Sequence, residues 1–173
     1  MDKPIFLVGF MGSGKTTWGK KVANALDLPF VDLDHEIVEN IGMTIPEYFN
    51  AHGEDNFRKL ENEFLKKQAG RIAVISTGGG TPCYFDNMDW INQNGLSLYL
   101  YHTSKSLWSR LSQSDVNKRP VLKGLAGDEL YEFIDSKLRE RSDYYEKAHI
   151  KFEQIHTPLE DIIELIKNYP NTK

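Results

Sequence analysis

The sequence lacks most of the features that mark secreted, membrane-bound or nucleic-acid-binding proteins. Its 173 residues include one cysteine, Cys83, so no disulfide can form within the chain, which is typical of reducing compartments. No apolar run is long enough to span a bilayer, and the run after Lys3 is too short for a signal peptide. The net charge is −4, without long basic runs, and the five histidines show no metal-ligand spacing. We therefore expect a cytoplasmic protein without nucleic-acid or membrane partners.

The residues from Gly9 to Thr16 match the phosphate-binding pattern G-x-x-x-x-G-K-[ST] at every fixed position. The match follows the apolar run 5–8 and precedes apolar residues at helical spacing, and this strand–loop–helix setting distinguishes such a loop from an ordinary glycine-rich turn. Backbone amides of the loop turn toward a polyphosphate, the lysine neutralises its outer phosphates, and the threonine hydroxyl binds Mg²⁺. We therefore expect a nucleoside triphosphate to be bound by Gly12, Ser13, Gly14, Lys15, Thr16 and Thr17.

The rest of the chain predicts an α/β fold in one domain. No repeat or low-complexity segment divides it, and short β-branched or aromatic runs alternate with segments of helical periodicity. This alternation predicts a parallel five-stranded sheet flanked by helices, with ligands at the carboxyl ends of the strands. With the phosphate-binding motif after its first strand, this arrangement resembles the P-loop nucleoside-kinase type of fold. The predicted strands are 5–9, 29–32, 72–76, 96–101 and 150–153. The predicted helices are 15–26, 34–41, 44–50, 53–68, 85–93, 104–111, 128–147 and 158–168.

Two carboxylates, Asp32 and Asp34, stand where the second predicted strand ends. Side chains two residues apart in a strand point the same way, so both can face the phosphate loop, with Asp32 near the metal ion and Asp34 near an acceptor hydroxyl. The third predicted strand carries no acidic pair, which leaves Asp32 as the candidate metal-side acid. The alternative is that the two acids complement the dipole of the helix at 34–41, with Asp34 as its N-cap.

Two arginines occupy helical positions that are typical of ligand binding as well as of structural pairing. Arg58 lies one turn from both Glu54 and Glu61. One interpretation is that the three side chains form simple helical ion pairs. The other is that the two acids orient the Arg58 guanidinium as a fork for an anionic ligand. Arg141 lies about three full turns after an apolar residue of its helix, on the inward stripe. A guanidinium there must pair with a buried carboxylate or line a cleft that holds an anion.

Two further segments are candidates for contact with a ligand. The glycines at 78–80 follow the third predicted strand, where they permit close approach to a ligand or simply make a tight strand-to-helix turn. The segment 112–124 has little apolar periodicity and predicts a mobile lid over the site. Arg119, within it, either faces solvent or closes over the transferring phosphate.

Taken together in this order and spacing, the motifs resemble those of shikimate kinases over nearly the whole chain. The resemblance rests on Gly-Phe-Met-Gly-Ser-Gly-Lys-Thr-Thr at 9–17, Phe-Val-Asp-Leu-Asp at 30–34, Gly-Glu-x-x-Phe-Arg-x-x-Glu at 53–61, Thr-Gly-Gly-Gly at 77–80, Arg-Pro-x-Leu at 119–122 and Arg-x-x-x-Tyr at 141–145. It implies that Arg119 contacts the nucleotide phosphates, that shikimate binds to Asp34, Arg58, Gly79 and Arg141, and that the two arginines take its carboxylate. Two features depart from the family pattern: Val121 replaces a common leucine, and no obvious basic residue beyond 150 serves the adenine side.

We therefore predict one kinase domain over residues 1–173, with an acceptor-binding region at about 34–61 and the lid at about 112–124. The predicted reaction is ATP-dependent phosphorylation of the 3-hydroxyl of shikimate by a monomeric enzyme. The predicted catalytic residues are Lys15, Asp34 and Arg119, with Mg²⁺ held by Thr16 and Asp32. One alternative is a kinase of another small hydroxylated acid such as gluconate, against which the inward arginines and the triple glycine argue. The other is a nucleotide-switch binding module.

Overall fold

The computed structural model describes residues 2–114 and 122–170. Within these residues, five parallel strands form one sheet in the order β2-β3-β1-β4-β5. The strands are β1 (Ile5–Val8), β2 (Phe30–Asp32), β3 (Val74–Ser76), β4 (Leu96–Leu100) and β5 (Ile150–Phe152). The predicted α/β class and the five predicted strands are confirmed, with ends that differ by one or two residues.

Eight α-helices occur in the described residues, and each matches a predicted helix. They are α1 (Lys15–Leu26), α2 (Leu33–Ile41), α3 (Ile45–His52), α4 (Glu54–Lys66), α5 (Asn87–Asn94), α6 (Ser104–Ser112), α7 (Gly127–Tyr145) and α8 (Leu159–Asn168). A short 3₁₀ turn at Thr81–Cys83 follows the triple glycine and was not predicted. No helix of the described part of the chain is long and apolar enough to cross a membrane.

The central strand β1 is buried on both faces, and its side chains alternate between two apolar clusters. Ile5 and Leu7 pack with residues of α1 and α8 on one face of the sheet. Phe6 and Val8 pack on the other face with residues of α2, α4, α5, α6 and α7. Because the five strands are parallel, their carboxyl ends meet at one edge of this two-sided core, and the loops that follow them gather there.

The predicted lid has anchored ends on both sides of the residues that the structure leaves undescribed. Its first residue, Ser112, belongs to α6, and Leu122 is fully buried in the core. Arg119 lies outside the described residues, as does the rest of 115–121. The lid and its arginine therefore stay predictions.

Candidate active site

A cleft of about 550 Å³ lies at the carboxyl ends of the strands, beside the loop that joins β1 to α1. Gly12 and Gly14 have φ values of 75° and 98°, which favour glycine, and Gly14 is the N-cap of α1. The first amides of a helix have no carbonyl partner within it, and they lie at the positive end of its dipole. The loop therefore offers backbone donors and partial positive charge to an anion in the cleft.

Lys15 is the first residue of α1, and its side chain lies back along the loop. Its Nζ donates hydrogen bonds of 2.9 Å to the carbonyl oxygens of Gly9 and Phe10. The side chain is largely buried yet contributes to the lining of the cleft. The ammonium group thus lies at the loop, and a change of side-chain rotamer would bring it to a phosphate that binds there.

Thr16 and Asp32 meet at the floor of the cleft. The Thr16 hydroxyl donates to Asp32 Oδ2 at 2.8 Å. Asp32 is also the N-cap of α2, since its other oxygen accepts from the His35 amide at 3.4 Å. The dipole alternative gave the N-cap to Asp34, and that assignment is wrong because the helix already begins at Leu33.

This pair suits Mg²⁺, which prefers oxygen ligands, keeps several waters and takes only one or two protein groups beside phosphate oxygens. Within residues 2–114 and 122–170, no group of three or more histidine, cysteine, aspartate or glutamate side chains is arranged to hold a metal by itself. The donor set at Thr16 and Asp32 therefore fits a magnesium ion that arrives with a nucleotide and excludes a closed, all-protein cage.

Asp34 reaches the same cleft from the first turn of α2. The argument from strand alternation is wrong for this residue, because β2 ends at Asp32 and the helical turn places the side chain. Burial, followed by the charges of Glu61 and Asp32, raises the pKa of Asp34 from 3.8 to about 7, although Lys15 and Arg58 oppose the shift. A carboxyl group with this pKa can accept or return a proton near neutral pH.

Arg58 is buried and held in place by two glutamates of its own helix. Its Nη1 donates to Glu61 Oε2 at 2.9 Å, while Nε and Nη2 donate to Glu54 Oε1 at 3.2 and 3.0 Å. The ring of Tyr84 lies 4.4 Å from the guanidinium carbon. Glu61, which is 1% exposed, also accepts from the Thr81 hydroxyl at 2.5 Å. The helical ion pairs that the spacing predicted are therefore present, and they fix the plane of the Arg58 guanidinium.

The triple glycine allows three close approaches. A Cβ on Gly78 would lie 2.5 Å from Glu61 Oε1, and one on Gly80 would lie 2.5 Å from Arg58 Nη1. A Cβ on Gly79 would lie 2.9 Å from the Met11 amide nitrogen in the phosphate loop. Such separations leave no room for a side chain at these three positions, so the segment is a closely packed seam between the phosphate loop and α4. The same segment makes the turn that leads to Thr81–Cys83.

Arg141 lies on the inward face of α7, as the helical spacing predicted, and is 4% exposed. Its Nη1 is buried and has no hydrogen-bond partner among the described residues. One turn later, the Tyr145 hydroxyl donates to the carbonyl oxygen of Gly79 at 2.5 Å, which ties this part of α7 to the glycine seam. A buried cation with a free donor favours the second interpretation of Arg141, a lining position toward an anion.

Comparisons with known proteins agree on one family. The family model described as "Shikimate kinase" matches residues 11–169. The chain belongs to this family. It is 45% identical over 147 residues to the shikimate kinase of Bacteroides fragilis, which covers 84% of this chain and 81% of that protein.

Two solved structures of shikimate kinases share the fold over nearly the full chain. The crystal structure of the enzyme from Bacteroides thetaiotaomicron has a TM-score of 0.86 and 38% identity, covering 96% of this chain and 97% of that one. The enzyme from Acinetobacter baumannii, solved in complex with shikimate, has a TM-score of 0.84 and 33% identity, covering 96% and 92%. The family resemblance read from the motifs is thereby confirmed.

The structure brings together most of the predicted site residues of this family member. The cleft is lined, among others, by Gly12, Gly14, Lys15, Thr16, Asp32, Asp34 and Gly79. Ser13, within the loop, is fully buried. Thr17 is exposed and does not line the cleft. Arg58 and Arg141 are buried and are not among the residues that line this cleft; Arg58 lies against Gly80, and the Arg141 guanidinium carbon lies 5.6 Å from the centre of the Phe10 ring. Their roles in binding stay predictions.

Sequence reasoning missed Arg110, which also lines the cleft. Its Nε donates to the carbonyl oxygen of Gly12 at 2.8 Å, and its Nη2 lies 3.2 Å from a Cβ built on Gly14. The only available signal was its position in α6, between the buried Leu107 and Leu111 and just before the predicted lid. No motif of the resemblance includes this residue.

Proposed function

We propose that this member of the shikimate kinase family transfers the γ-phosphoryl group of ATP to the 3-hydroxyl of shikimate, giving shikimate 3-phosphate and ADP. The observation that carries the proposal is the meeting of three features at one cleft. These are a phosphate loop, a carboxyl group whose pKa is raised to about 7, and a seam of glycines against which the buried Arg58 packs and to which the helix of the buried Arg141 is joined through Tyr145. The loop suits a phosphoryl donor, and the carboxyl group suits the acceptance of a proton. The arginines suit an acceptor molecule that carries a negative charge.

On the nucleotide side, the loop amides and Lys15 hold the phosphates of ATP. We assign nucleotide binding to Gly12, Ser13, Gly14, Lys15, Thr16, Thr17 and Arg119. Thr16 would hold Mg²⁺ directly and Asp32 would hold it through water, and a bound ion would supply neutralisation of negative charge on the phosphates. Lys15 and Arg119 stabilise the charge that develops on the transferred group. The 2.8 Å contact between Thr16 and Asp32 supports this division of roles.

On the acceptor side, Arg58 and Arg141 take the carboxylate of shikimate, and Asp34 with Gly79 holds its hydroxyl groups. Guanidinium groups suit a carboxylate because they present two parallel donors. Asp34 orients the 3-hydroxyl and accepts its proton as the phosphoryl group arrives. A loose transition state demands little proton transfer early in the reaction, so orientation is the first task of this carboxylate.

We also propose that the enzyme is a monomer of one kinase domain that works in the cytoplasm. The single cysteine supports a reducing compartment. Light scattering of the purified protein at micromolar concentration tests the proposed monomer, and a dimer of constant mass across dilutions contradicts it.

The decisive experiment measures ADP release against a panel of acceptors. We expect turnover with shikimate, little with gluconate and almost none without an acceptor, whereas a nucleotide switch would hydrolyse ATP at the same slow rate in all three cases. Methyl shikimate should be a poor substrate because its ester lacks the charge that the arginines bind. Equal use of the ester and the free acid would contradict the assignment.

Arg141→Lys tests the same contact from the protein side. Lysine keeps the positive charge but loses the planar pair of donors. We expect a rise in the KM for shikimate of about 10- to 100-fold, in line with the loss of a charged hydrogen bond, and a nearly unchanged KM for ATP. The exposed Arg139, two residues away on α7, is the matched control, and Arg139→Lys should change neither constant.

A further inference from the structure

The phosphate loop is held from behind by two side chains that follow β4. Arg110 binds the Gly12 carbonyl, as described above, and the Nε2 atom of His102 lies 2.9 Å from the carbonyl oxygen of Ser13. His102 is buried between the end of β4 and the start of α6. Leu111 of the same helix packs so closely that a Cβ on Gly12 would lie 2.7 Å from it. The back of the loop therefore rests on α6 and the residue that leads into it.

The hydrogen bonds of His102 fix its tautomer. A carbonyl oxygen can only accept, so Nε2 must carry the proton that is donated to Ser13. In a neutral ring Nδ1 then has no proton, and it accepts from the Ser106 hydroxyl 2.9 Å away. Burial lowers the pKa of His102 below its usual value, and Arg110 and Lys15 add to the shift, although the hydrogen bond to Ser13 and the charge of Glu153 oppose it. The neutral ring therefore prevails near pH 7.

The contact with His102 sets the direction of the next amide in the loop. The Ser13 amide donates to the Phe10 carbonyl at 3.3 Å, and its carbonyl accepts from His102, so the residue is bound on both sides. In a planar trans peptide the carbonyl and the following N–H point in opposite directions. Because no described peptide bond is cis, the Gly14 N–H points away from His102, and Gly14 lines the cleft.

We propose that His102 is a positioning residue for nucleotide binding, which aims the Gly14 amide at the phosphates by holding the Ser13 carbonyl through Nε2–H. The inference rests on the proposed function, since it assumes that a nucleotide occupies the loop. His102 itself touches no substrate. Ser106 assists by keeping the proton on Nε2.

Two substitutions of His102 separate this role from packing. In His102→Gln the side-chain amide reaches about as far as Nε2 and can still donate to Ser13, whereas in His102→Asn it reaches only as far as Nδ1. We expect His102→Asn to raise the Kd for MgADP, measured by calorimetry, and the KM for ATP by about tenfold, the factor for one buried acceptor that loses its donor. The KM for shikimate should stay within about twofold, and His102→Gln should recover most of the nucleotide affinity.

His149 provides the matched control. It is a partly buried histidine that also binds a serine, Ser97, but at the amino ends of β4 and β5, away from the cleft. His149→Asn should change neither nucleotide constant. A third substitution, Ser106→Ala, frees Nδ1 and should raise the Kd for MgADP by a smaller factor than His102→Asn.

Several results would overturn the inference. Folded His102→Asn protein with wild-type affinity for MgADP would do so, as would equal losses in the Gln and Asn variants. If neither variant folds, ¹⁵N NMR of the wild type decides: a ring protonated at Nδ1 contradicts the proposal, and one protonated at Nε2 that responds to MgADP supports it. Wild-type protein that binds no MgADP would overturn the proposed function as well, whereas binding that His102→Asn retains overturns this inference alone.

Discussion

Replacing Asp34 with asparagine is expected to stabilise the ligand-free protein at pH 8 while it removes most of the kinase activity. The carboxyl group is partly shielded from solvent and lies near the charges of Glu61 and Asp32, and these surroundings raise its pKa from 3.8 to about 7. Above pH 7 the folded protein must therefore hold a negative charge that its environment disfavours. The unfolded chain holds the same charge in water, so the native state alone is destabilised.

The size of the gain follows from this difference in pKa. A shift of about three pH units corresponds to roughly 4 kcal/mol, which is an upper limit for the gain in the free energy of unfolding. Asp34 lines the cleft and is only partly shielded from its solvent, so we expect about 1–2 kcal/mol. Activity changes in the opposite direction: loss of a general base lowers kcat by about 10²- to 10⁴-fold, and a smaller loss would favour an orienting role.

The pH dependence gives the sign of the effect. Between about pH 4 and pH 7 the folded wild type binds a proton that the unfolded chain has released, so its stability falls as pH rises through this window. Asparagine has no such titration. The difference between Asp34→Asn and wild type should therefore be small near pH 4 and reach its full value above pH 7.

Urea denaturation of both ligand-free proteins at pH 5 and pH 8 measures this difference, and a coupled assay of ADP release measures kcat. Asp32→Asn is the matched control, because the amide oxygen of asparagine can still cap α2 while its amide nitrogen can donate to the Thr16 hydroxyl oxygen. The control should show a smaller gain at pH 8, because Asp32 is only one of the causes that raise the pKa of Asp34, and it should also raise the Mg²⁺ requirement. The reasoning fails if Asp34→Asn is no more stable than wild type at pH 8, or if its gain is equal at both pH values.

Three other substitutions test the remaining parts of the site. Lys15→Met should lower kcat by at least about 10³-fold because it removes the cation at the transferring phosphate, and turnover within a few-fold of wild type excludes the residue from the mechanism. Gly80→Ala should raise the KM for shikimate but not for ATP, since its Cβ would lie 2.5 Å from Nη1 of Arg58; equal changes in both constants would point to general misfolding. Arg119→Ala should lower kcat more than it lowers the affinity for shikimate. Lid closure would be contradicted if the rate of hydrogen exchange across 112–124 stayed the same when nucleotide and shikimate bind.

The fold was predictable because its signals are local. The apolar runs that predicted the strands are buried on both sides of a parallel sheet, so each strand reads as a short continuous apolar segment. The inward position of Arg141 followed from the helical repeat alone, since the repeat fixes which residues share a face. Such signals depend on residues within a few turns of each other.

The contacts that shape the site are not local, and this is why the sequence did not predict them. His102 and Ser13 are 89 residues apart, and Arg110 and Gly12 are 98 residues apart. No periodicity relates such positions; only the packing of α6 against the loop brings them together. The error at Asp34 has a different origin, since one residue decides whether a side chain follows the pleat of a strand or the turn of a helix.

The two buried arginines contribute differently to the binding of an anion. Arg58 shares its donors with Glu54 and Glu61, so these three side chains carry a net negative charge and provide geometry rather than attraction. Arg141 has a buried Nη1 without a hydrogen-bond partner among the described residues, so it offers a donor that no other side chain uses. A carboxylate that binds there gains the free donor of Arg141 and needs only alignment from Arg58.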